Sequence, residues 1–580
     1  MQRDRLPYLL IPLAAFLAVV PLLIHGCSCG HDFDFHILSW LEAARQFTQG
    51  NLHLHWAYTP AYNAGEPRFV FYPPLSWTIG ATLGLLFPWQ WTPILYTWLT
   101  LTAAGLSLYY LARSFTLPNA ALIAAILYTV NPYMLFTAYE RTAYAELLAA
   151  AWIPLLLHAI LRKKVTIARI AIPIALLWLT NAPAAVMSCY ALALLAALRL
   201  VQPSEASKKK IALNTIVGTI LGLGLAAFYI LPAAYERRFV QIAMAIIPFY
   251  RIQDNFLFHH TSDIPHDQVL HTASVIAVIL IVLTCATFTA IRITQNLRTT
   301  NLLLPIGMIT LAITLLLTPI TTFIWNHAPE LAFLQFPWRL LAILAAVLAL
   351  AIALALKQIK LSPLTTAALA VTIAAALTYP TYRVFHQPCD PEDTVEARLH
   401  LFHSSQGTDP TDEYTPTAAD NDSLAHTNPP YWLSSNANAP APTDTQPGPA
   451  PSHFSVKATQ PGFLILNLRD YPSWDITSTD SNSLSLDHPK HIPRDDGLVA
   501  LPIYSAADYQ IKIDYTQPLD QTLGDLISSA SFFVLILILV VNHRKNSGNH
   551  RLSSVPSSRK IRKIRGRTHS FIINTRWIPK

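Results

Sequence analysis

The sequence predicts a polytopic α-helical membrane protein of about 12 transmembrane helices with an extracytoplasmic, C-terminal β-sandwich-like domain. Three observations carry that reading. Of 580 residues, 53% are hydrophobic and only 13% charged, where a soluble domain carries about a quarter charged. Apolar runs of spanning length recur at about 6–25, 93–112, 119–138, 143–161, 167–181, 183–200, 211–233, 272–294, 302–323, 338–357, 362–380 and 527–542. Lys and Arg clusters fall between these runs so as to share one face.

Leu6 to Ile24 follows Arg3 and Arg5, so it reads as an uncleaved first helix with its N-terminus cytoplasmic. Pro74 to Trp89 is apolar but short and opens on Pro73-Pro74. Counting it as a crossing would put Arg162-Lys163-Lys164 and Lys208-Lys209-Lys210 outside, so it reads as a juxtamembrane or re-entrant segment. Without it, both clusters lie inside with Arg113, Arg292, Arg298, Lys357 and Lys360. The large loops and the region from Thr381 to Gly524 then lie outside.

Much of the net charge of +7 sits after Val541, in a basic cytoplasmic tail, 543–580, that suits anionic lipid. It does not point to nucleic acid. Five scattered cysteines predict neither a disulfide framework nor a metal spacing. The domain reading is a membrane domain over 1–380 with an outer loop at 26–92, a connecting region and linker over 381–454, a β-rich domain over 455–525, a last helix over 526–542, and the tail. Residues 407–451 are rich in Thr, Asp, Asn, Ala and Pro without period and read as loose linker. Phe463 to Leu468 and Tyr509 to Tyr515 alternate as strands do.

Candidate chemistry begins at His31-Asp32-Phe33-Asp34-Phe35-His36, just past the first span. Asp32 and Asp34 suit a divalent metal, Mg or Mn, with His259 or His260 as a further ligand. Alternatively one acts as a base tuned by the other, or the pair caps the helix His36–Gln49. Glu140, Arg141 and Glu146 at the turn between the third and fourth spans add carboxylates and a phosphate clamp, or complement helix ends. Arg237 and Arg251 in the next outer loop, and Arg339 after Phe336-Pro337-Trp338, suit a lipid-linked phosphate; tryptophan followed by arginine is also ordinary membrane anchoring. The aromatic stretch at Phe71-Tyr72-Pro73-Pro74 suits a sugar ring.

With Asp32 and Asp34 opening the first loop, Tyr72-Pro73-Pro74-Leu75-Ser76-Trp77 after it and a second acidic patch at Glu140, the chain resembles the GT-C superfamily of integral-membrane glycosyltransferases. Gln335 to Arg339, Glu413-Tyr414-Thr415-Pro416 and Tyr471-Pro472-Ser473-Trp474 resemble bacterial membrane proteins of the YfhO type, and still more those labelled "6-pyruvoyl-tetrahydropterin synthase-related". Nothing in the chain resembles the zinc-binding histidines of a soluble pterin synthase. In the third stretch Ser473 stands where the YfhO type has glycine.

The resemblance implies an enzyme of the bacterial inner membrane that moves a sugar from a polyprenyl-phosphate donor to an envelope glycan, lipid or protein acceptor. Transfer would invert the anomeric centre. Asp34, with Asp32 beside it, would be the base, and arginines would hold the lipid phosphate. The competing reading is a non-catalytic protein that binds or transports a lipid-linked glycan, or assembles envelope polymers.

Overall fold

The computed structural model describes residues 5–202, 207–294, 302–328, 330–443, 445–480, 485–487 and 491–553. Arg3 and the basic stretch from Arg559 onward lie outside them. Met1–Phe532 forms one compact unit, and Phe533–Lys580 a second whose described part continues the last helix.

Among the described residues nine helices are long and apolar enough to cross a membrane: Leu6–His25, Trp89–Arg113, Pro118–Tyr139, Tyr144–Leu161, Ala182–Val201, Ile264–Ile293, Pro337–Gln358, Pro363–Phe385 and Leu519–Arg544. Two bent helix pairs are long and apolar enough to be either broken spans or re-entrant loops. Lys208–Leu225 turns by 74° into Ala227–Phe239, and Leu303–Leu316 turns by 92° into Pro319–His327, where Pro319 cannot donate to the preceding turn. Counting each pair once gives eleven. The twelfth expected span, 167–181, is the helix Ile167–Trp178, whose 12 residues reach only about 18 Å against a hydrocarbon core of about 30 Å. It packs on Lys208–Leu225, where Gly222 leaves room: a Cβ there would stand 2.8 Å from the Ala171 carbonyl oxygen.

Burial sorts the helices. Leu341–Ala355 is buried at thirteen of its fifteen residues, as a helix apolar on every side must be when it lies at the centre. Ile264–Thr294 exposes Val275, Val278, Ile279, Val282 and Leu283 along one side, a surface suited to lipid. The segment Pro74–Leu86 is a 13-residue helix.

The C-terminal region holds two antiparallel sheets. Strands β1 (Tyr431–Ser434), β3 (Gly462–Arg469) and β6 (Leu498–Ile503) pair in the order β1-β3-β6. The other sheet runs β2 (His453–Lys457), β7 (Asp508–Tyr515), β4 (Trp474–Asp480) and β5 (Ser485–Asp487). Leu464, Leu466 and Val499 of the first sheet share a core with Ile476, Ile511 and Ile513 of the second. Ile465 and Ala500 point the other way, against Ala61, Ala64 and Leu424, so the first loop covers the back of that sheet.

The described residues of 407–451 are packed rather than loose. They supply β1; Thr408 accepts from the Tyr62 amide at 2.8 Å, and Thr415 and Asn421 accept from the buried Arg469 at 2.8 and 2.9 Å. The cysteines also depart from expectation, because Cys29 and Cys389 form a disulfide with Cα atoms 4.9 Å apart across 360 residues of sequence.

Candidate functional site

The first loop is stitched to two distant segments before it reaches its acidic pair. Ser28 Oγ donates to the Tyr139 carbonyl at 2.6 Å, the Cys29 amide to Gln387 at 3.0 Å, and the Asp32 amide to Arg141 at 3.0 Å. Gly30 lies so close to the 140–141 backbone that a Cβ would stand 2.1 Å from the Glu140 carbonyl oxygen. The side chain of Asp32 is thereby held over the turn 140–142, where Thr142 has a φ of 46°, a costly value for a β-branched residue.

Asp32 opens into a cavity of about 590 Å³ that is also lined by His31, His36, Arg141, Glu146, Arg237, Arg339 and Glu413. At its floor one carboxylate holds two guanidinium groups. Glu146 Oε2 lies 2.6 Å from Arg141 Nη1 and 3.3 Å from Arg339 Nε, and Tyr133 donates its hydroxyl to Glu146 Oε1 at 2.5 Å. Arg339 also donates to the Leu334 carbonyl at 2.8 Å and stacks over Phe336, its guanidinium carbon 4.9 Å from the ring centre. Arg141 reaches Asp32 at 3.9 Å. The Glu146 side chain is 4% exposed and that of Asp32 is 41% exposed, so Glu146 is a buried counter-ion and Asp32 the carboxylate an incoming molecule can touch.

Asp34 is not part of this arrangement. The helix Phe33–Thr48 begins between the two acids, and residues two apart on a helix are turned by about 200°. Asp34 therefore points away and pairs with Arg398, which also holds Asp393; burial pushes the Asp34 carboxyl above its usual range, against the opposing pull of Arg398. Asp32 occupies the N-cap position, yet its side chain makes no capping hydrogen bond.

The remaining sequence candidates divide. Arg237 lies on the cavity wall, 3.4 Å from Glu330, and both are about half exposed. Arg251 is exposed and pairs with Asp254 at 3.2 Å, off the cavity. Glu140 is buried and bonded to Gln387, away from the cavity; burial raises its carboxyl. His259 and His260 are exposed, and His260 lies 3.4 Å from Asp267. The ligand set of Asp32, Asp34 and one of these histidines does not come together, and among the described residues no three His, Cys, Asp or Glu side chains are grouped to hold a metal.

Residues absent from the sequence candidates also converge here. Glu413 approaches from the 407–451 segment, its carboxyl raised by burial. His36 is buried among Tyr72, Trp40 and Tyr144 and pushed down to about 4, so it is neutral. Glu413 lies in the family-like stretch Glu413 to Pro416, the one sequence signal that marks it. His36 carries no such signal beyond its place in the acidic stretch.

No curated protein matches the chain. Among solved structures it is similar to a mutant form of the arabinofuranosyltransferase AftD from Mycobacteria, at a TM-score of 0.43 and 16% identity over 65% of this chain and 28% of that one. The unmutated form gives 0.41 and 16%, over 65% and 27%. The archaeal oligosaccharyltransferase AglB from Archaeoglobus fulgidus, in complex with an inhibitory peptide and a dolichol-phosphate, gives 0.35 and 16%, over 67% and 56%. The chain thus spans about a quarter to just over half of these proteins. Residues 69–382, which include Arg141, Glu146 and Arg339, match the membrane-protein family described as "6-pyruvoyl-tetrahydropterin synthase related domain". That match covers more than half of the sequence, and the chain belongs to this family.

Proposed function

We propose that the protein is a membrane glycosyltransferase that moves a sugar from a polyprenyl-phosphate donor to an envelope glycan, lipid or protein acceptor at the outer face of a bacterial cytoplasmic membrane. Both termini would be cytoplasmic, and the first loop and the sheet region extracytoplasmic. The observation that carries the reading is the cavity that sets the accessible carboxylate of Asp32 opposite Arg141 and Arg339, two buried guanidiniums sharing one counter-ion.

In this reading Asp32, rather than Asp34, takes the proton from the acceptor hydroxyl as that oxygen attacks the anomeric carbon. The bond from that carbon to the phosphate oxygen breaks, and the phosphate leaves with its charge. Arg141, Arg339 and Arg237 position and neutralise it, their planar forks matching phosphate oxygens. No general acid is needed. Because the expected Mg or Mn ligands do not assemble, no step runs through a metal. Tyr72 and Phe35, in edge contact at 4.8 Å on the cavity wall, offer ring faces to a sugar.

The test is transfer of radiolabelled sugar from a panel of polyprenyl-phosphate sugars by the purified protein in lipid. Asp32→Asn is expected to lower turnover by at least about 100-fold, the usual worth of a general base, with donor binding retained. Asp34→Asn should leave most turnover. Loss in Asp34→Asn with Asp32→Asn active would overturn the assignment of the base. Donor binding without turnover by the parent protein would favour the non-catalytic reading.

A further inference from the structure

A second cavity, of about 380 Å³, lies between the end of the bent helix Ala227–Glu236, the turn Pro472-Ser473 before β4, and the start of the last helix. Its walls are apolar: Leu231, Phe239, Pro518, Leu519 and Leu523. Its polar end is a pair of carboxylates, Glu236 and Asp520, only 1% and 7% exposed. Glu236 is supplied with donors, since Tyr471 donates its hydroxyl to one oxygen and Gln521 its amide to the other at 2.8 Å.

Asp520 is hydrogen-bonded to Glu236 through its carboxyl but receives no N–H of its own: its Oδ2 is buried without such a donor among the described residues, as is the neighbouring Gln521 Oε1. No described Lys, Arg or His forms an ion pair with either acid. An apolar cleft that ends in acceptors lacking donors calls for a ligand bringing several N–H bonds and a positive charge. At the rim Arg238 lies with its guanidinium carbon 3.6 Å over the Tyr235 ring and 4.9 Å from that of Phe239. Tyr235, Leu519 and Leu523 are exposed beside it.

We propose that this cleft binds an aminophospholipid, its primary ammonium on Asp520 and Glu236, its phosphate on Arg238, and its chains along the exposed leucines. A primary ammonium offers three N–H donors, and the phosphate meets the guanidinium of Arg238, which stacks on Tyr235 and Phe239 of the cavity wall. A quaternary choline headgroup has the charge but none of the donors. The site rests on the membrane character of the chain and not on glycosyl transfer, so it stands or falls independently of the reaction.

The test is lipid retention by the full chain in detergent, read by native mass spectrometry with dioleoyl phosphatidylethanolamine, phosphatidylcholine and phosphatidylglycerol in separate arms. The parent should retain phosphatidylethanolamine at least tenfold better than phosphatidylcholine. Asp520→Asn should bring that ratio below twofold, while Arg238→Gln should weaken both lipids and leave the ratio intact. Equal retention of the two lipids by the parent, or an unchanged ratio in a folded Asp520→Asn, overturns the proposal. If Asp520→Asn does not fold, the exposed Arg238→Gln decides, and unchanged retention there overturns it. Thermal stabilisation by ethanolamine or sodium chloride alone, equal to that by the lipid, would assign the acids to a free cation and overturn the lipid reading.

Discussion

Replacing Glu146 with Gln should uncouple the charge system of the main cavity. Among the described residues Glu146 is the one carboxylate within 4 Å of both Arg141 and Arg339, and the three side chains are 4%, 4% and 11% exposed. Breaking a buried ion pair by removing one partner costs about 3–5 kcal/mol, because the charge left behind is neither hydrated nor paired. Glutamine keeps an acceptor for the Tyr133 hydroxyl, and Asp32 at 3.9 Å still faces Arg141, so the lower end, roughly 3 kcal/mol, is expected. That is a little over 100-fold in the folded-to-unfolded ratio, at about 1.4 kcal/mol per decade.

The assay is reversible denaturation in detergent of the parent, Glu146→Gln, Arg141→Gln and the double variant. The double should cost at least about 1 kcal/mol less than the sum of the singles, the signature of direct contact. Inorganic pyrophosphate should stabilise Glu146→Gln more than the parent, since an anion can take the vacated place between the guanidiniums. A loss under about 1 kcal/mol with additive doubles would refute the reasoning, because it would mean that water already solvates these arginines.

The Cys29–Cys389 bridge closes 360 residues, for which loop entropy alone gives roughly 6 kcal/mol. Helices that stay in the membrane already restrict the unfolded chain, so Cys29→Ser with Cys389→Ser should cost about 2–4 kcal/mol; thermal melts should show the parent falling toward the variant when reductant is added and the variant indifferent to it. Acid should destabilise the protein through His36, which is held at about 4 in the fold against 6.5 when free. The unfolded chain then binds the extra proton first, so stability is constant above pH 6.5 and falls as pH drops toward 4, by roughly 3 kcal/mol in all. Melting midpoints across that range should fall in the parent and stay flatter in His36→Gln.

What the sequence made legible follows from the cost of charge in an apolar setting. Arg141, Glu146 and Arg339 stand at the ends of apolar runs, where an ionisable group persists only if paired or in use, and they do meet. Eleven of the twelve expected spans have a helix or bent pair in place. The exception, Ile167–Trp178, has spanning hydropathy without spanning length, a distinction that depends on where the helix stops at Trp178. The alternation Tyr509, Ile511, Ile513 marks a half-buried strand before any fold is known, and these three side chains are the ones β7 buries.

Asp32 and Asp34 part company for a reason the sequence itself contains. Their spacing of two suits a shared site only in an extended chain, where side chains two apart share a face; a helix that starts at Phe33 sends them to opposite sides. The other omissions lie deeper. Cys29 finds Cys389 across 360 residues of sequence, and Arg469 is held by Thr415 and Asn421, in a segment with no period of its own. A local pattern marks a group that needs a partner, whereas the partner is fixed by which helix ends meet. In this chain His31, Asp32, His36, Arg141, Glu146, Arg339 and Glu413 reach one cavity only because the first loop is sewn to Tyr139 by the Ser28 hydroxyl and to Arg141 and Gln387 by backbone amides, groups that every residue but proline carries.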